Sequence, residues 1–212
     1  MRPTASGCSV GCKSSPISER DTAAVRQARR QCWKDIAKYP VRRLKFVDES
    51  SVNIAMTRLY GRALRGQRVH DAAPQNWGHN VTVLGALSCE GLDAVMTIDD
   101  AANASVFRAC VTKVLAPMLR PGDVVVMDNL STHKVPGIRD AIKAKHADLV
   151  YLPPHSPDYS PIKPCWSKLK TRLRALKART RDARDKALAQ VIDTVTTSDT
   201  KGWFAHCGYS FY

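Results

Sequence analysis

No apolar run in this sequence approaches the roughly 18 residues needed to cross a bilayer. The first ten residues, Met1 to Val10, hold no apolar core of a secretory leader, so the expected address is the cytoplasm, away from any membrane. No Gly-x-x-x-x-Gly-Lys loop is present, which leaves a nucleotide cofactor without support. Cysteines at zinc-finger spacing are missing too. The seven cysteines are scattered at 8, 12, 32, 89, 110, 165 and 207, Cys8 and Cys12 have no His or Cys pair nearby, and His206 and Cys207 are adjacent, a poor geometry for one tetrahedral ion. An odd count without a leader reads as reduced thiols. Acidic residues are scarce, 19 against 33 Lys and Arg, which gives a net charge of +14. Such an excess fits a polyanionic partner, most often nucleic acid, or else a merely basic soluble protein.

What is present is ordinary globular material. A hydrophobic fraction of 44% and a charged fraction of 25% argue against wholesale disorder, and 212 residues suit one domain with an appendage. Residues 1–17, with Pro3, Gly7, Gly11 and Pro16 among small polar residues, read as a disordered tail. Residues 18–40 read as a basic linker helix, started by Ser18 with Asp21 as its capping-box partner and closed by Pro40. Val25, Ala28, Cys32 and Ile36 share one face of it. Arg26, Arg29, Arg30, Lys34 and Lys38 form the other, either solvated or paired with a second protomer.

Residues 41–212 then read as one domain. Leu44–Val47 predicts a strand ending at Asp48, and residues 52–72 a twisted hairpin turning at Gly61 and Gly66. Strands at 81–87 and 94–98 are joined by the Cys89-Glu90-Gly91 turn. A helix over 103–119, a buried strand at 124–127, a helix over 133–146 and a strand at 149–152 follow. After the rigid Pro153–Pro157 loop, Pro161 opens a helix whose Trp166, Leu169, Leu173 and Leu176 form an apolar stripe. From Lys163 to Lys186 ten Lys and Arg face two Asp, so the basic helix at 163–181 could track a DNA backbone. Antiparallel strands followed by alternating helices and strands give an α/β fold, a mixed sheet flanked by helices.

Two carboxylates, Asp48 and Asp128, sit at strand ends, where α/β sheets build their sites. Brought together they could hold Mg²⁺ or Mn²⁺; taken alone, each is more readily the start of a turn.

The surrounding residues add to that reading. Phe46-Val47-Asp48-Glu49-Ser50, the run Val126 to Lys134 (with Asp128-Asn129-Leu130-Ser131-Thr132-His133) and the run Tyr151 to Ile162 form three ordered blocks, the last continuing through Trp166-Ser167-Lys168-Leu169-Lys170. Together they resemble the DDE domain of bacterial insertion-sequence transposases of the 630 type, relatives of the mariner superfamily. The likeness continues through Tyr60-Gly61-Arg62-Ala63, Leu115-Ala116-Pro117 and His206-Cys207-Gly208-Tyr209. It implies an RNase H-like fold with a mixed five-stranded sheet. It implies metal-dependent DNA cleavage and strand transfer at transposon ends, with Asp48 and Asp128 as catalytic ligands of two Mg²⁺ or Mn²⁺ ions. It also implies DNA as partner, assembly into a homo-oligomer, and a bacterial, nucleoid-associated location.

The resemblance fails at one informative place. The family's third ligand is usually a glutamate; here, after 34 intervening residues from Asp128, the position is Lys163. An ammonium has only donors and cannot ligate a metal while charged. A Lys163 bridge to an aspartate would keep the fold and disable the site, leaving an inactive transposase domain or a non-enzymatic DNA-binding or assembly remnant. Asp158 and Glu49 are the substitute carboxylates to consider, although Glu49 follows Asp48 on a strand and should face the other way. The stretch ahead of Phe46 is too short for the two helix-turn-helix modules such transposases carry, so the chain reads as a truncated copy.

His133 and Lys134 could contact phosphate or orient a carboxylate, or simply form a solvated helix start. Lys168, Lys170, Arg172 and Arg174 are the DNA-backbone candidates on the basic helix. Asn129 could shape the turn after Asp128, and Gly208 and Tyr209 should tuck a terminal helix onto the sheet.

Overall fold

The computed structural model describes residues 22–99 and 103–211. Its first element, helix α1 (Ala23–Ile36), is capped by Thr22, whose hydroxyl accepts from the Val25 amide. Ser18 and Asp21, where the start was expected, lie outside the described residues, as does the 1–17 tail.

Strand β1 (Leu44–Val52) is the centre of the sheet. It pairs antiparallel with β2 (Val81–Leu87), which pairs antiparallel with β3 (Leu92–Ile98). On its other side β1 runs parallel to β4 (Val124–Met127), and β4 parallel to β5 (Asp148–Tyr151). The order is β3-β2-β1-β4-β5, the mixed five-stranded sheet expected. β2 and β4 are buried along their whole length, because helices cover both faces. On one face Leu44, Phe46, Val126, Trp166, Leu169 and Phe204 share a core. Val47, Leu84, Phe107, Val125, Met127 and Ile138 fill the other. β1 therefore sends even-numbered side chains to the first core and odd-numbered ones to the second.

The helices on the second face are α2 (Ala104–Cys110), which runs on as a π turn over Val111–Leu115 and a 3-10 turn over Ala116–Met118, and α3 (Ile138–Lys143). The first face carries α4 (Ile162–Leu176), α5 (Arg181–Ile192) and α6 (Thr197–His206).

Four expectations are corrected. The hairpin expected over 52–72 does not form: β1 continues to Val52, then leaves the sheet, and no strand follows before β2. Both edges of β1 are already taken by β2 and β4, so a hairpin there would stand alone, and an isolated pair of strands is marginal in water. The helix expected over 133–146 is split, because Pro136 disfavours helix at Val135 and Gly137 sits at φ 91°. A 3-10 turn (Ser131–Lys134) precedes the short α3. The basic helix breaks at Lys177, in the left-handed region at φ 49°, and restarts at Arg181 behind the Thr180 cap. Leu176, expected in the apolar stripe, is 45% exposed, because it sits on the last turn of α4 before that break. Gly208 and buried Tyr209 do fold the end of α6 back, the Tyr209 hydroxyl donating to the Tyr159 carbonyl at 2.7 Å.

Candidate functional site

β1 and β4 run parallel and in register, Val47 beside Met127, so their next residues, Asp48 and Asp128, reach the same edge of the sheet. Both line one pocket of about 330 Å³, closed by Asn129, Leu130, the Leu152–Pro157 loop, Ser160 and Lys163. The two aspartates are thus brought together, although only Asp128 follows a strand end; Asp48, expected to end its strand, lies at the middle of β1, which continues beside β2 to Val52.

Asp48 carries a donor on each oxygen, whereas Asp128, 34% exposed, is engaged through Oδ1. Asp48 is buried, with Lys163 Nζ 2.8 Å from Oδ1 and the Trp166 indole N–H donating to Oδ2 at 2.8 Å. Burial pushes the Asp48 carboxyl above the usual range; Lys163 and Trp166 offset this only in part, and Asp128 adds to it. Asp128 is also pushed up by burial, but the His133 bond, the His133 charge and the Leu130 amide outweigh that, and its pKa falls.

His133 is the other cation of the site. It is fully buried, stacked on Phe107 at 4.1 Å between centroids. Nδ1 lies 2.5 Å from Asp128 Oδ1 and Nε2 lies 3.0 Å from Glu49 Oε2. Burial opposes its charge, yet the two carboxylates prevail and raise its pKa to about 9. At neutral pH it is therefore an imidazolium donating from both nitrogens. Glu49 does leave the sheet on the face opposite Asp48, as alternation requires, and rejoins the site around its edge through His133. Three carboxylates thus face two internal cations.

Asp158 is not available as a substitute. Arg29 of α1 grips it with two hydrogen bonds, 3.1 Å to Oδ1 and 2.6 Å to Oδ2. Among the described residues, no three His, Cys, Asp or Glu side chains are placed to hold a metal ion together.

The basic residues of α4 divide by face. Seven and eleven residues after Lys163, Lys170 and Arg174 return to within about 20° of its direction. Lys170 is half-buried, and burial together with Arg174 and Lys163 lowers its pKa. Lys168 points elsewhere and spends its ammonium on the Thr194 carbonyl, at 2.9 Å, and on Asp199. Arg172 is exposed on the far face. Lys134 is exposed, its ammonium 5.8 Å from the centre of the Tyr151 ring.

Three participants were missed in the sequence. Trp166 in the apolar stripe suggests core in preference to a base-stacking platform; the missed signal is that a buried indole N–H needs an acceptor, and the helix places it one turn from Lys163. Gly85 stands opposite Asp48 on β2, and a Cβ there would lie 2.8 Å from the Trp166 ring, so its bareness lets the indole reach Asp48. Arg29 was read as part of a solvated or pairing face; no sequence signal pairs it with Asp158.

The family model of the DDE superfamily endonucleases matches residues 43–185. The Tcb2 transposase of Caenorhabditis briggsae is 27% identical over 105 residues, which is 48% of this chain and 38% of that protein. The chain thus spans about two-fifths of that relative's length. The Mos1 transposase paired-end complex with left transposon end superimposes with a TM-score of 0.63 at 14% identity, over 86% of this chain and 62% of that one. For the Mos1 Strand Transfer Complex the values are 0.61, 17%, 88% and 62%. For the catalytic domain of Mos1 mariner transposase they are 0.53, 12%, 88% and 94%. These likenesses establish the fold, which is RNase H-like. Two-thirds of the sequence matches one family model, with Asp48 and Asp128 inside the match, and the chain belongs to the DDE superfamily endonucleases.

Proposed function

We propose that this chain is a DNA-binding transposase domain of the mariner superfamily, of the bacterial 630 insertion-sequence type, in which an internal cation has replaced metal chemistry. The observation that carries the reading is the 2.8 Å contact of Lys163 Nζ with Asp48 Oδ1. A divalent ion needs bare oxygen ligands. Both oxygens of Asp48 carry N–H donors, and Oδ1 of Asp128 carries another. This donor set does not fit Mg²⁺ or Mn²⁺, although solved structures of the Mos1 catalytic domain with Mg and with Mn exist for the fold. No hydrolytic or strand-transfer step follows from these residues as they stand.

What remains is attraction to DNA phosphates. The net charge of +14 supports it, and Lys163, Lys170 and Arg174 present a row of cations leading from the pocket. The chain therefore acts by occupying DNA, or by joining the assembly of an active transposase, and cuts nothing.

The test is a pair of assays on duplex DNA. The unmodified chain binds in EDTA, its affinity falls steeply with salt, and Mn²⁺ yields no nicked product. Metal-dependent nicking by the unmodified chain would overturn the reading.

A further inference from the structure

The wall of the Asp48–Asp128 pocket is held from outside the family-matched stretch. Arg29, in α1, is buried although charged. Its guanidinium donates to the His155 carbonyl at 3.2 Å, to Ser156 Oγ at 2.7 Å and to both oxygens of Asp158, and it lies 4.2 Å over the Tyr159 ring. One side chain thus touches four of the five positions from His155 to Tyr159, all but Pro157. His155 needs such a hold, since it sits at φ 57°, where a side chain with a Cβ is strained. One turn on from Arg29, Trp33 packs on Tyr159 and on Tyr209, with centroids 5.3 and 5.2 Å apart. Tyr209 in turn bonds the Tyr159 carbonyl. The loop is gripped by α1 on one side and by the C-terminal turn on the other.

This loop bears on the site directly. His155, Ser156, Pro157 and Ser160 line the pocket, and the Ser160 carbonyl accepts from the Lys163 amide at 3.1 Å, setting the first turn of α4. Lys163 and, one turn later, Trp166 are the two donors on Asp48.

We propose that Arg29 is a positioning residue: through Asp158 and the His155 carbonyl it sets the 153–160 loop, and through that loop the placement of Lys163 and Trp166 on Asp48. Helix α1 is accordingly a working part of the site, and displacement of α1 is transmitted to the pocket. The inference rests on the pocket being the functional site, but its test uses neither metal nor DNA and stands apart from the fate of the catalytic reading.

The fork geometry is specific. A guanidinium can bridge both oxygens of Asp158 while bonding the loop backbone; an ammonium cannot. The experiment compares the full chain with Arg29→Met, Arg29→Lys and Tyr209→Phe. The readouts are the Trp166 indole N–H resonance and amide hydrogen exchange. In Arg29→Met the Trp166 resonance moves while those of Trp77 and Trp203 do not. The amides of Tyr159, Ser160 and Lys163 exchange at least about tenfold faster, while β1 and β4 keep their protection. Arg29→Lys resembles Arg29→Met. Tyr209→Phe, which keeps the ring packing, shifts the same signals less. An unmoved Trp166 resonance in Arg29→Met overturns the proposal. So does a uniform loss of protection across β1 and β4, which would make Arg29 a general fold contact, and so does full rescue by lysine.

Discussion

Trp166 lies against Gly85 so closely that a Cβ on the glycine would come within 2.8 Å of the indole ring and 3.2 Å of Leu92 Cδ1. This contact places the indole N–H on Asp48, directly across from Gly85 in the β1–β2 register. Gly85→Ala is therefore expected to cost about 1–3 kcal/mol by overpacking, visible as a lower urea midpoint with an unchanged slope. A neutral effect would mean that the ring is free to move aside.

The His133 cluster makes stability depend on pH. Its folded pKa of about 9 stands above the ordinary 6.5 because Asp128 and Glu49 outweigh burial. The stabilisation is complete below pH 6.5 and is lost as pH rises through 9, with a span on the order of 3 kcal/mol for this buried group. Unfolding measured from pH 6 to pH 10 should show that decline. His133→Gln should flatten it, and an unchanged decline in that variant would assign the effect elsewhere.

The Lys163 contact predicts an asymmetry. Lys163→Met leaves Asp48 buried with only Trp166 as partner and should lower stability at pH 7 by about 1–2 kcal/mol, a figure reduced because the Lys163 side chain is 41% exposed. At low pH the protonated Asp48 no longer needs a cation, so the difference between variant and parent should shrink. A loss independent of pH would point to packing of the lysine stem.

The proposed DNA path assigns the faces of α4 different roles. Lys170→Ala and Arg174→Ala should each reduce the slope of log affinity against log salt by about 1 on duplex DNA. Lys168→Ala should leave that slope alone and lower stability, since its ammonium joins α4 to Thr194 and Asp199. The reverse pattern would relocate the DNA path.

How much of this was legible in the sequence follows from what each residue depends on. Asp48 and Asp128 were readable because each follows an apolar run that announces a strand locally, although β1 itself runs on past Asp48 to Val52. Lys163 was readable because the helix start at Pro161 and the three blocks fix its register. The Glu49–His133–Asp128 chain was not, since it passes around the edge of the sheet and joins residues 84 apart in sequence. Arg29 with Asp158, 129 residues apart, is the same case: a helix face of five basic residues gives no hint that one of them is buried. The hairpin expected over 52–72 does not form because its glycines only resemble hairpin turns, while the availability of a partner strand is a property of the whole sheet.

On the proposed function, Lys163 stands on Asp48 where a metal would otherwise be held. Isothermal titration with Mn²⁺ on the unmodified chain and on Lys163→Glu tests it most directly. The account predicts no binding by the unmodified chain and binding by Lys163→Glu, with both variants folded. Tight Mn²⁺ binding by the unmodified chain would contradict it.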